Sequence, residues 1–389
     1  MWITNIDIVL PDHIITRGAI QLDGPRIVAI QDADAPATSH ERVIDGHGLT
    51  AIPGIIDLHG DMIEREVEPR PGARFPLAMA IHELDKRLAA CGVTTAYAAI
   101  SFYGANDDEA LRSGAHAQAL VAAIVQLRAT LLVAHLIHAR YEVPTPVVAA
   151  ALLPLIETRQ VDLFSLTDHT PGQGQFRDVE RFIAATAKWR NADPQQVAGE
   201  IHAQIATMHA NTDVWDTAAA LVALARSQRV LVASHDDDTP AKIDRMLAFG
   251  ATISEFPVTL EAAHAARQRG MCVVMGAPNV LRGGSHSGNV SALDAIAAGA
   301  VDALAADYAP AALLQAAFII ARNEVLPLYA AVNLISRNPA VALGLHDRGA
   351  LAIGMLADLV LVEPGACPRV RATLRRGVPI YWDGSMAQR

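Results

Sequence analysis

The 389-residue chain has only three cysteines, Cys91, Cys272 and Cys367. They lack metal-type spacing and cannot all pair with one another, which argues against a disulfide framework and for a reduced, cytoplasmic setting. Basic residues are scarce, 31 against 41 acidic ones, for a formal charge of −10. That balance argues against a nucleic-acid partner, whose binding rests on a basic face that neutralises phosphates. An anionic small molecule stays compatible, because a few local arginines can dominate one cleft. No basic N-terminal region precedes an apolar core, so no export signal is expected. Apolar runs such as Val147–Ile156 are short and contain proline, so none reads as a membrane span. No internal repeat is present. What the chain does have is 52% hydrophobic against 19% charged residues, enough for a large buried core.

Residues 1–51 read as short strands, Ile6–Leu10, Gly18–Leu22 and Arg26–Ile30, separated by Pro11-Asp12 and Asp23-Gly24-Pro25. No helix-period segment occurs before Pro76. From Ile55 the pattern becomes apolar runs alternating with alanine-rich helical segments. Runs starting at Ile55, Val93, Leu131, Val161, Val230, Thr252, Met271 and Val301 give eight short strands alternating with helices. That predicts parallel strands with helical crossovers, and the number and length match an α/β (β/α)₈ barrel of the TIM type over residues 54–349. An open doubly wound sheet ranks behind, for want of a glycine-rich fingerprint after the first strand. The tail is strand-like again, so 1–53 and 350–389 are expected to share one small β-sandwich domain. Alanine-rich helices such as Ala218–Ala225 can pack on the barrel or on a second copy, which leaves a homo-oligomer open.

Polar residues collect where the strands end: His59 and Asp61; His138, Arg140 and Glu142; Asp168 and His169; His235 to Asp238; Glu255; and Asp307. His59 and Asp61, at i and i+2 of one strand end, project to the same side. Each member has an ordinary reading. His138 can be a buried, hydrogen-bonded histidine, His235 and its aspartates an N-cap turn, and Asp307 a cap. Gathered at successive strand ends, they converge on the face where barrel active sites sit. Histidine with carboxylate suits zinc, manganese or iron.

Two loops offer donors for an anion. Arg65, Arg70 and Arg74 follow the first strand among prolines, although Glu64, Glu66 and Glu68 offset them. Residues 282–289, with Arg282, Ser285 and His286 among glycines, follow the seventh strand, where this fold often holds phosphate. The segment is not a P-loop, because no GK[ST] follows at the required spacing.

Taken together, the stretches DLHGDMIEREVEPRPG (57–72), HARYEV (138–143), SLTDHTPGQGQF (165–176), ASHDDDT (233–239), SEFPVTLEAA (254–263), MGAPNVLRGGSHSGNVSA (275–292), ADYAP (306–310) and NPAVALGLHDRG (338–349) resemble the amidohydrolase superfamily. More narrowly they resemble its α-D-ribose 1-methylphosphonate 5-triphosphate diphosphatases of phosphonate breakdown. The resemblance implies metal ligands at His59, Asp61, Glu142, His169 and His235, with Asp307 as the metal-adjacent base. It implies one or two divalent ions per chain, zinc first, with manganese or iron as alternatives. Asp61 stands where the superfamily usually has a second histidine, no lysine ends the fourth strand, and Glu142 is the candidate bridging carboxylate. The implied reaction is hydrolysis of a phosphorylated ribose between its α- and β-phosphates, releasing pyrophosphate. Arg65, Arg70, Arg282, Ser285 and His286 would bind the triphosphate; His264, Arg140 and Lys242 are candidates for the phosphonate. Hydrolysis of a C–N bond by a deaminase or deacetylase is the rival reaction, and a non-catalytic binding protein the rival of another class.

Overall fold

The computed structural model describes residues 1–32, 42–104, 111–210, 213–284 and 288–388. Eight strands pair side by side in sequence order: Ile55–Gly60, Val93–Phe102, Ala134–Glu142, Leu163–Thr167, Leu231–His235, Ile253–Glu255, Cys272–Gly276 and Ala303–Ala305. Every neighbouring pair is parallel. The last strand returns to the first through a parallel bridge between Gly60 and Asp307. At that seam the Asp307 amide donates to the His59 carbonyl and the Asp61 amide to the Asp307 carbonyl, both at 2.9 Å. The buried Asp57 carboxylate adds a clasp, accepting from the Ala306 amide at 2.9 Å.

Ile56, Leu58, Leu163, Ala233, Ile253, Val274 and Ala303 fill the barrel interior. A larger apolar layer lies between the strands and the surrounding helices. This is the (β/α)₈ architecture expected from the alternation of runs.

A second sheet of eight strands draws on both chain ends. Thr50–Pro53 lies between Trp2–Val9 and Leu359–Glu363, then leads through Gly54 into the first barrel strand. A side chain at Gly54 would meet Thr94 Oγ1 at 2.3 Å, so only glycine allows this close approach. Ile3, Ile6, Ile8, Ile20, Leu359, Leu361 and Leu374 form the sheet's own core.

Three local expectations differ from the structure. A short helix, Ile63–Val67, precedes Pro76 and buries Ile63 and Val67 one turn apart. The third barrel strand starts at Ala134 rather than Leu131 and runs through His138 to Glu142, hydrogen-bonded to Val93–Phe102 on one side and Leu163–Thr167 on the other. The first strand has a register irregularity between Asp57 and Gly60, and Asp61 stands beyond its end. His59 and Asp61 therefore do not share one regular strand face; such irregularities re-aim side chains at barrel rims.

Candidate active site

The third strand sets the site's depth. His138, Arg140 and Glu142 alternate with Ala139 and Tyr141, which pack outward against the helices. His138 Nε2 lies 3.7 Å from Glu255 Oε2 and 2.9 Å from Ser165 Oγ. His59 Nδ1 lies 3.2 Å from the other Glu255 oxygen. A second group stands beside this one. His235 Nδ1 is 3.2 Å from Asp236 Oδ2, and His169 Nε2 approaches the same oxygen at 3.7 Å. The His59 and His235 rings are 5.4 Å apart, so the two groups adjoin.

Glu142 fixes His169. Its Oε1 accepts from the His169 amide at 2.8 Å, and its Oε2 from His169 Nδ1 at 2.7 Å and Thr167 Oγ1 at 3.0 Å. The Nδ1 nitrogen is thereby committed as the donor, and Nε2 is left facing Asp236. Behind the fifth and sixth strands, Asp237 accepts from Ser234 and Ser254 hydroxyls at 2.5 and 2.6 Å. Lys242 spends its ammonium on the His235 and Asp236 carbonyls, at 3.2 and 3.1 Å.

Can these residues hold a divalent cation? His59, His138 and Glu255 form one group whose ligand-type atoms all lie within 4.8 Å of one another, and His169, His235 and Asp236 form a second. His59 Nδ1, His138 Nδ1, His235 Nδ1, Asp236 Oδ2 and both Glu255 oxygens are buried without a hydrogen-bond partner among the described residues. Unpartnered buried polar atoms cost stability, and a cation is what this donor set would satisfy. The two imidazoles beside Glu255 are in the form a metal needs. Burial, then the nearby positive groups, drives His59 well below its ordinary range, and burial drives His138 to about 3. Burial works to raise Asp236, but His235, His169 and Lys242 outweigh it and hold the carboxyl at about 2. The residues fit a divalent ion.

Asp307 is the opposite case: burial, reinforced by the Asp61 carboxylate, lifts it to about 7. Its φ is +54°, and Asp236 and Phe256 on neighbouring rims both stand at +53°. Non-glycine residues seldom adopt this left-handed conformation, and such outliers cluster at functional sites. Phe256 uses it to set its ring edge-on to His59 and His235, with centroids 4.9 and 5.2 Å away.

Above these groups opens a cavity of about 590 Å³. His59, Asp61, Glu142, His169, His235 and Asp307 all line it, as do Arg65 and Arg282. Those two guanidiniums flank the Tyr308 ring at 5.7 and 5.9 Å, and Arg282 donates to the Tyr308 hydroxyl. Arg70 and His264 are not among the lining residues, and Arg74 pairs with Glu68 at 2.6 Å. Ser285 and His286 lie outside the described residues. Arg112 lines the cavity without having been expected to. It is anchored 2.6 Å from the buried Glu64 carboxylate. Neither motif nor spacing marks Arg112 in the sequence, whereas Asp236 was visible as part of HDDD. The opposite wall, with Phe176, Phe256 and Val258, is apolar.

Residues 73–381 match a model of the amidohydrolase family. The chain is 34% identical over 370 residues to an alpha-D-ribose 1-methylphosphonate 5-triphosphate diphosphatase of Escherichia coli (strain K12), an alignment covering 93% of this chain and 95% of that one. Among solved structures, the N-acetyl-D-glucosamine-6-phosphate deacetylase of Mycobacterium smegmatis aligns with 98% of this chain and 100% of its own at 18% identity and a TM-score of 0.64. The dihydropyrimidinase of Brevibacillus agri NCHU1002 aligns with 98% of this chain and 95% of its own at 14% identity and a TM-score of 0.58. At such identities the two structures bear on the fold alone.

Proposed function

The chain belongs to the amidohydrolase family, and we propose that it is a metal-dependent diphosphatase hydrolysing α-D-ribose 1-methylphosphonate 5-triphosphate to the 5-phosphate and pyrophosphate. The observation that carries this reading is 34% identity to a diphosphatase of that name along nearly the whole of both chains. The cavity supports it independently: Arg65, Arg112, Arg140 and Arg282 stand over a floor of imidazoles and carboxylates. A polyanion needs that wall, whereas the neutral substrate of a C–N hydrolase has little use for it.

His59, Asp61, Glu142, His169 and His235 are the proposed ligands of one or two divalent ions, with Asp236, His138 and Glu255 added to the set from the two adjoining groups; zinc is the first candidate. Such an ion supplies Lewis-acid charge neutralisation and makes water a competent nucleophile near neutral pH. Glu142 accepts three hydrogen bonds and keeps a free lone pair on Oε1, so it can orient His169 and still offer an oxygen to the ion. Asp307 takes the proton of the attacking water, a task suited to a carboxyl held near 7. The water oxygen bonds to the α-phosphorus, the bond from that phosphorus to the α–β bridging oxygen breaks, and pyrophosphate leaves with the electron pair. Arg65 and Arg282 bind the departing phosphates beside Tyr308, and the apolar wall at Phe176 and Phe256 takes the ribose. The cytoplasm is the proposed location, in keeping with three free cysteines.

Phosphorus NMR of metal-reconstituted protein with a ribose 5-triphosphate tests the reading. Pyrophosphate and a 5-phosphate should appear together. Release of orthophosphate alone, or no P–O cleavage, overturns it.

A further inference from the structure

Arg140 is not accounted for by the fold. It lies midway between His138 and Glu142 on the third barrel strand, level with the imidazoles, and its side chain lines the cavity while being buried. Its Nε and Nη1 are enclosed and have no hydrogen-bond partner among the described residues. Its ion-pair contact, Asp61 Oδ2 at 3.6 Å from Nη1, is too long for a hydrogen bond. Buried guanidiniums are ordinarily tied down by several acceptors, because removing that charge from water is expensive. Even the half-exposed Arg112 in the same cavity is bonded to a carboxylate, Glu64 at 2.6 Å. Arg65, Arg112 and Arg282 also arise beyond the strands, whereas Arg140 comes from within one, at the depth of the candidate ligands.

We infer that Arg140 is a catalytic residue whose guanidinium fork binds the non-bridging oxygens of the phosphoryl group under attack. The inference rests on the diphosphatase reading and adds which phosphate each cation serves. Arg140 neutralises the α-phosphate as the water oxygen adds and the bond to the α–β bridging oxygen breaks. The water proton goes to Asp307 and the electron pair to pyrophosphate; Arg140 contributes charge and geometry and loses no proton. A planar fork matches two phosphoryl oxygens, and an arginine at this position acts most strongly where charge redistributes in the transition state.

The test compares wild type, Arg140→Lys and Arg140→Ala, each metal-reconstituted, on a ribose 5-triphosphate. The expected result is a loss of kcat of about 10³-fold with KM changed by less than about threefold. Lysine should recover little, since it keeps the charge and loses the fork. Added guanidinium should restore part of the alanine variant's kcat, which a purely structural role would not allow, and bound metal should equal that of wild type. If alanine prevents folding, the lysine variant carries the test alone. An unchanged kcat overturns the assignment, as does a loss that follows depleted metal and resists guanidinium. The wild-type protein separates the two levels of the proposal. Wild type that releases no pyrophosphate from the triphosphate overturns the diphosphatase reading itself, whereas wild type that releases it while Arg140→Lys turns over equally fast overturns the Arg140 assignment alone.

Discussion

Asp307 combines two uncommon conditions in one residue. Its backbone is held left-handed by hydrogen bonds that close the barrel seam, and its carboxyl is buried beside another carboxylate. An asparagine has the same shape and tolerates that backbone, but it cannot accept a proton. Asp307→Asn should therefore lower kcat about 10²- to 10⁴-fold while circular dichroism and metal content stay as in wild type. Retained turnover would remove Asp307 from the chemistry. Glu142 invites a different measurement. Its carboxylate commits His169 Nδ1 as donor, and the amide of Glu142→Gln can present an N–H where an acceptor is required. Metal affinity, read by competition with a chromophoric chelator, should fall about 10- to 100-fold. Equal affinity in the variant would show that His169 needs no such partner.

The third strand shows which features of an element can be read from sequence. Its alternation was legible, because His138, Arg140 and Glu142 are polar while Ala139 and Tyr141 are not. Its end was not, because the strand persists through pairing on both sides, and those pairings come from residues 93–102 and 163–167. Arg112 was illegible for a related reason: what makes it part of the cavity is an anchor on Glu64, 48 residues earlier. The strand's opposite end is tied to the helix Leu77–Ala90 by Asp85. That carboxylate accepts from the Leu132 and Val133 amides at 2.8 and 2.9 Å and lies 3.0 Å from His135 Nε2. Burial works to raise the Asp85 pKa, but these bonds outweigh it and the net shift is downward from its ordinary 3.8. A carboxyl lowered in the folded state stabilises fully above its unfolded value, and the benefit fades as pH falls below it toward the folded one. Asp85→Asn should cost about 1–3 kcal/mol at neutral pH, and its gap from wild type should shrink as pH drops below about 4. A gap that stays constant across that acid range, read by urea unfolding, would contradict the assignment.

For the whole molecule, the number of strands and their convergence followed from periodicity alone. That the chain ends share a sheet was expected from their strand-like texture, but the pairing was not legible; it depends on Thr50–Pro53 finding Leu359–Glu363 across more than 300 intervening residues. The second sheet also grips the barrel. Thr373 Oγ1 donates to the Ala89 carbonyl at 2.8 Å and Arg375 to the Leu132 carbonyl at 2.9 Å. The candidate metal centre draws on the first, third, fourth, fifth and sixth strands and the segments just beyond them, so ion binding would clamp distant parts of the sequence together. Among the described residues, several imidazole and carboxylate atoms at the barrel's centre lack partners. An ion that binds only the folded chain adds about 2.7 kcal/mol of stability at a hundredfold excess over its Kd. For a chain of this length, that corresponds to roughly 3 °C in melting temperature. Protein stripped with a chelator and dialysed should melt lower by about that amount, and stoichiometric zinc or manganese should restore it. Magnesium, which prefers oxygen ligands and gives up its waters reluctantly, should restore less. Stripped and reloaded samples that melt at the same temperature would show that these histidines and carboxylates hold no ion in the folded state.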